Sequence, residues 1–406
     1  MMTHANSARR LAAVWRALLA VAVLGVATAA AQSREPFPRA AAEDVGMSSA
    51  KLSDAVGTLR TWVDEGRIVG GSLLVIRNGK LVLHEAVGWA DRERGVPLRI
   101  DHIVNMRSMT KPLVGTALLM LREAGKLKLE DRVAQYLPSF DNPKSRDITV
   151  FQLLTHTSGL KGEIYTATGG TTYKTLREAV DVIGATGPEF KPGTDYYYSD
   201  TGTSTLGALI AVVAGMPAED FIRTRILEPL GMKDSFLVDD PESPLRARVA
   251  PAYQRRRPNA PWERYWDNTM PAIVPFFRAS GGLYATAIDY ARFMAAMLAS
   301  GASGNARLLT PESVKLATQP HAAYVFPAAR QVQMDRFYGF HWEVRTDKYR
   351  AVEPPFSSGI FSHGGSDGTN AWADPSRNLI VIYITQSRGT DTRTEIMRRV
   401  YAAIMK

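Results

Sequence analysis

The chain has 406 residues, 45% of them hydrophobic, with a formal net charge of +9 and no cysteine. Without thiols there can be no disulfide, no thiolate metal centre and no cysteine nucleophile. The positive excess is mild for this length, and its one dense cluster, Arg255-Arg256-Arg257, falls short of the basic face that nucleic-acid binding requires.

Residues 1–31 carry Arg9, Arg10 and Arg16, then an apolar run from Ala17 to Ala27, then Ala29-Ala30-Ala31. This layout predicts a secretory signal peptide with a small-residue cleavage site, and hence a periplasmic or secreted protein. The alternative is an uncleaved anchor, for which the run is short. Cleavage leaves residues 32–406 as one domain with no stable membrane span.

Ser48 reads as the N-cap of an amphipathic helix whose apolar face is Leu52, Val56, Leu59 and Val63. Ser72–Arg77 and Lys80–His84 are apolar runs joined by Asn78-Gly79, the signal of a tight hairpin. Apolar residues on both faces predict a sheet covered on two sides, with the Ser48 helix on one of them.

Gly88 to Ile100 reads as further strand and loop. Leu113, Val114, Ala117, Leu118 and Leu121 then form the stripe of a buried helix that Gly125 ends, with Ser108 and Lys111 in its first turn. Pro112 is tolerated there because early helix amides have no intrahelical partner. From about 130 to 277 the pattern is helices and loops, including helices over Thr201–Gly215 and Ala218–Leu227.

Pro251 to Phe277 is rich in proline and aromatics and shows no helix or strand period, so it either lines a site or packs as a surface loop. Ser280-Gly281-Gly282-Leu283 is expected to open a helix through Tyr290, Phe293 and Met297. Strands follow at Gly359–His363, Thr369–Ala373 and Leu379–Gln386, and Ile396, Val400 and Ile404 mark a terminal helix. Strands at both ends of the chain predict an α+β fold. Its antiparallel sheet, from about 46–129 and 278–406, is flanked by helices and interrupted by a mostly helical insertion at about 130–277.

A serine and a lysine three apart on a helix share a face, so the amine of Lys111 can take the proton of Ser108. The spacing alone is weak, because Ser48 and Lys51 repeat it where a cap explains the serine. Gly364-Gly365-Ser366-Asp367-Gly368 spells a rival nucleophile elbow. That reading fails, because no histidine follows Ser366 and Thr369–Ala373 reads as strand where the elbow needs a helix. His156 has no metal-ligand spacing around it and reads as a turn hydrogen-bonder.

Three elements in order resemble the serine β-lactamase and penicillin-binding-protein superfamily. Ser108-Met109-Thr110-Lys111 is similar to its Ser-x-x-Lys, Tyr198-Ser199-Asp200 to its Tyr-x-Asn, and His363-Gly364-Gly365 to its Lys-Thr-Gly. The nearest branch is that of class C β-lactamases and family VIII carboxylesterases. The resemblance implies a β-lactamase/transpeptidase-like fold that works without metal or cofactor.

It also implies roles. Ser108 would be the nucleophile, Lys111 and Tyr198 would move its proton, and the backbone N–H groups of Ser108 and Ser366 would form the oxyanion hole. Asp200, His363, Gly364 and Gly365 would contact substrate, the glycines by letting the strand come close to it.

Two departures shape the expected activity. Asp200 replaces Asn and should raise the pKa of Lys111, shifting weight to Tyr198. His363 replaces Lys and should hold a substrate carboxylate less well, unless it is simply a structural strand residue. The expected activity is a carboxylesterase on short-chain esters. The alternatives are a β-lactamase, a D-amino-acid peptidase or DD-carboxypeptidase on cell-wall peptides, and a non-catalytic binder of envelope peptides. The partners are accordingly a small-molecule ester, amide or β-lactam, or a cell-wall peptide.

Overall fold

Strands from both ends of the chain, the central ones buried on both faces, build a nine-stranded antiparallel sheet. The computed structural model describes residues 36–162, 164–165, 170–257, 259–304, 306–326, 331–347 and 355–405. The expected signal segment lies outside the described residues. Contacts divide the chain into Met1–Pro38 and one compact unit, Arg39–Lys406, to which the sheet, its helices and the cleft beside it all belong.

The strands are β1 (Gly70–Arg77), β2 (Lys80–Asp91), β3 (Val96–Pro97), β4 (Ala322–Phe326), β5 (Gln331–Tyr338), β6 (Glu343–Arg345), β7 (Phe361–Gly364), β8 (Asn370–Asp374) and β9 (Leu379–Thr385). Their order is β4-β5-β6-β7-β8-β9-β1-β2-β3, so the first and last parts of the chain meet where β1 pairs with β9. Asn78 and Gly79 both have positive φ, 52° and 71°, which only residues tolerant of the left-handed region supply.

The helices are α1 (Ser49–Asp64), α2 (Lys111–Glu123), α3 (Val150–Leu154), α4 (Leu176–Thr186), α5 (Asp200–Ala214), α6 (Ala218–Ile222), α7 (Ala287–Leu298), α8 (Pro311–Thr318) and α9 (Arg393–Ala402). Ser48 caps α1 by accepting from the amide of Lys51, which accounts for the second Ser-x-x-Lys in the sequence. Leu52, Val56, Leu59 and Trp62 of α1 pack with Ile396 and Val400 of α9 on one face of the sheet, against Leu73, Val75, Val381 and Tyr383. Each such large apolar side chain, fully buried, stabilises the fold by about 1.5–3 kcal/mol. α7 covers the other face.

Beyond α7, α2 packs against α5 and is buried on nearly all sides. α5 starts at Ser199, whose hydroxyl accepts from the amide of Gly202 at 2.8 Å. Two local expectations are corrected. The Ser280–Leu283 stretch opens no helix, because Tyr284–Ala285 first pairs with Val104–Asn105 and Thr286 is the cap of α7. The aromatic stretch contains a short ribbon, Ala252–Gln254 paired with Glu263–Trp266. Among the described residues no single helix is long and apolar enough to cross a membrane.

Candidate active site

Ser108 lies in a 3-10 turn, Arg107–Thr110, that leads directly into α2. The turn is fastened from several directions. The Thr110 hydroxyl donates to the Arg107 carbonyl at 2.7 Å and accepts from the Leu283 amide at 2.9 Å, and the Tyr290 hydroxyl donates to the Met109 carbonyl at 2.9 Å. A side chain at Gly365 would collide with the Met106 carbonyl and with Thr369. Glycine there brings the end of β7 onto the serine turn.

Ser108, Tyr198, Asp200, Arg278, Ser366 and Arg388 line one cleft of about 350 Å³. Lys111 is fully buried at its base. Its Nζ lies 3.2 Å from Ser108 Oγ, 2.6 Å from Asp200 Oδ1 and 2.9 Å from the Ser280 carbonyl, and 4.6 Å from the centroid of the Tyr198 ring. A neutral amine can donate to Asp200 Oδ1 and the Ser280 carbonyl while its lone pair accepts from the serine hydroxyl. The geometry therefore fits proton transfer from Ser108 to Lys111.

Asp200 does raise the pKa of Lys111, as expected, but it does not decide the net shift. Burial disfavours the ammonium more than Asp200 favours it, and Arg278 adds a second cation, so the pKa of Lys111 is lowered. Arg278 Nη2 holds Asp200 Oδ2 at 3.1 Å. Burial works against the Asp200 carboxylate, yet Lys111 and Arg278 together keep its pKa below the usual value. Tyr198 moves the other way: burial, then Asp200, push its pKa well up, despite the opposing hydrogen bond with Ser108. The phenol is thereby held protonated, whereas Lys111 is shifted toward its neutral form.

His363 is placed differently from expectation. It is 1% exposed and does not line the cleft, and neither do Gly364 and Gly365. The Ser199 amide donates to His156 Nδ1 at 3.2 Å, so the neutral His156 ring carries its proton on Nε2, which faces the Tyr338 hydroxyl at 3.2 Å. That hydroxyl in turn lies 3.0 Å from His363 Nε2, and His363 Nδ1 donates to the Gly364 carbonyl at 2.9 Å. One directed chain thus ties the start of α5 to β7 through two neutral rings. Burial, with Lys111 nearby, pushes the pKa of His363 down to about 3. His363 is a structural strand residue behind Tyr198, its ring centroid 6.2 Å away.

Sequence reading missed Arg278 and the carbonyl of Ser280. A carboxylate in place of the family's Asn could have pointed to a counter-cation, but nothing pointed to a main-chain carbonyl. Among the described residues no group of three or more His, Asp or Glu converges as metal ligands do.

An antiparallel sheet with helices on both faces and a serine–lysine cleft beside it is the architecture of a β-lactamase-like serine hydrolase. The chain belongs to the Beta-lactamase family, which matches residues 52–406. Esterase EstB of Burkholderia gladioli is 28% identical over 353 residues, 80% of this chain and 87% of that protein. Penicillin-binding protein 4 of Amycolatopsis lactamdurans is 33% identical over 261 residues, 63% and 66% of the two chains. Among solved structures, EstCE1, a hydrolase with promiscuous acyltransferase activity, has the same fold, with a TM-score of 0.73 at 24% identity. The match covers 88% of this chain and 99% of that one.

Proposed function

We propose that this serine hydrolase is a carboxylesterase acting through an acyl-enzyme on Ser108. The observation that carries the reading is the 3.2 Å approach of Lys111 Nζ to Ser108 Oγ at the base of the cleft. Ser108 Oγ attacks the ester carbonyl as its proton passes to Lys111. The carbonyl oxygen becomes an oxyanion facing the amides of Ser108 and Ser366. Tyr198, held as a phenol, donates a proton to the departing alkoxide, and the proton on Lys111 replaces it. Water then cleaves the acyl-enzyme by the same route in reverse.

Preference for an ester over a penicillin-type substrate is supported by the position of His363. Where the family pattern has lysine, this chain has a buried neutral ring that offers no charge to a substrate carboxylate. The 28% identity to an esterase supports the same reading. Residues 1–31 favour export, which N-terminal sequencing of the protein recovered from a bacterial periplasm would test.

The experiment is intact-mass analysis after a fluorophosphonate, with hydrolysis of p-nitrophenyl butyrate, nitrocefin and a D-alanyl peptide measured in parallel. The reading expects a single adduct on the Ser108 peptide and turnover chiefly of the ester. Activity should vanish in Ser108→Ala and persist in Ser366→Ala. Faster turnover of nitrocefin or the peptide would overturn the ester assignment, and an adduct on Ser366 would overturn the nucleophile.

A further inference from the structure

Ser108 and Ser366 line the cleft from segments far apart in the chain. Ser108 directly follows Arg107, and Ser366 directly precedes Asp367. Arg107 and Asp367 are each 2% exposed and form an ion pair, Nε to Oδ2 at 2.8 Å.

Two buried charges are costly unless the geometry is good and the remaining donors and acceptors are satisfied. Here the Tyr265 hydroxyl donates to Asp367 Oδ2 at 2.8 Å, and Arg388 Nε donates to Oδ1 at 3.0 Å. Tyr265 also contacts Arg107 Nη2. Through Tyr265, the aromatic ribbon strand Glu263–Trp266 thus closes against the ion pair.

Arg107 has φ +52°, a left-handed conformation that a residue with a Cβ disfavours. Its amide donates to Asn105 Oδ1 at 2.9 Å, its carbonyl accepts from Thr110, and its guanidinium is fixed by Asp367. Because the peptide unit is planar, fixing the Arg107 carbonyl also fixes the Ser108 N–H on its opposite side. Strain of this kind persists where the surroundings over-determine it, as they do here at the nucleophile.

We propose that the Arg107–Asp367 ion pair is a positioning device that sets the separation and aim of the Ser108 and Ser366 amides as one oxyanion hole. The inference rests on Ser108 being the nucleophile. Arg107 and Asp367 act through their chain neighbours, each one residue from a donor. A donor displaced from the position of the oxyanion loses transition-state binding while ground-state binding changes little.

The test compares the full-length protein with Asp367→Asn and Arg107→Lys, each titrated with a fluorophosphonate to count competent sites. Per titrated site, kcat for p-nitrophenyl butyrate should fall about 10- to 100-fold with KM nearly unchanged. Affinity for a boronic acid, which forms a tetrahedral anionic adduct on the serine, should fall by a similar factor. A purely structural role would lower the thermal midpoint and the number of titratable sites while leaving per-site kcat and boronate affinity as in the parent. That result in either folded variant overturns the proposal. Active parent protein that takes no adduct on Ser108 removes the nucleophile reading itself, and the inference with it.

Discussion

Arg278 holds one oxygen of Asp200 at 3.1 Å, while Lys111 holds the other at 2.6 Å. The carboxylate is therefore shared, and losing the proton of Lys111 does not leave it without a cation. Arg278 is that second cation, and its field helps to lower the pKa of Lys111. Without Arg278, burial alone would oppose the ammonium that Asp200 favours.

Arg278→Gln leaves Asp200 to Lys111 and removes a neighbouring positive charge. Both changes raise the pKa of Lys111, so the acidic limb of the kcat/KM profile should move to higher pH. Activity lost at neutral pH should return in alkaline buffer. An unmoved limb with lower activity at every pH would show that Arg278 does not tune the lysine.

Asp200→Asn makes the opposite change. Without the carboxylate nothing offsets burial and Arg278, so the pKa of Lys111 falls further and the acidic limb should move to lower pH. Opposite displacements in the two variants would identify Lys111 as the titrating base. Displacement in the same direction would point to another group.

The parts of the site that were legible in the sequence are those encoded locally. Ser108 and Lys111 share one turn, Tyr198 precedes a serine-capped helix, and Asn78-Gly79 marks its hairpin. Arg278 was not legible because its partner lies 78 residues away, nor was the Arg107–Asp367 pair, whose members are 260 apart. His363 matched a motif position, but its placement is decided by Tyr338 on β5. The connections among β4, β5 and β6 contain no turn dipeptide like Asn78-Gly79, so nothing in the sequence announced that strand. The strand reading of Gly359–His363 was sound, and the partner that covers its histidine was invisible.

Tyr338→Phe removes the hydroxyl that joins His156 to His363. A buried donor on one ring and a buried acceptor on the other lose this partner, at about 1–3 kcal/mol for each group left unsatisfied. The thermal midpoint should drop clearly, while the pH dependence of kcat/KM stays as in the parent because Lys111 and Asp200 are untouched. An unchanged midpoint would show that the chain contributes nothing to holding α5 against β7.

His156, His341 and His363 are all buried, and burial lowers the pKa of each. In the folded state they stay neutral, whereas in the unfolded chain they take up protons below about pH 6.5. The unfolded state therefore binds more protons as pH falls, so stability is retained above pH 6.5 and declines beneath it. Each ring contributes a slope of at most about 1.4 kcal/mol per pH unit. For His363 the decline continues to its folded value of about 3. Thermal midpoints measured from pH 7 to pH 4 should fall steeply in the parent and less steeply in His363→Gln, which removes one of these fully buried rings. Equal slopes in the two proteins would mean that His363 already carries its proton in the folded state, and the neutral hydrogen-bond chain through Tyr338 would then have to be redrawn.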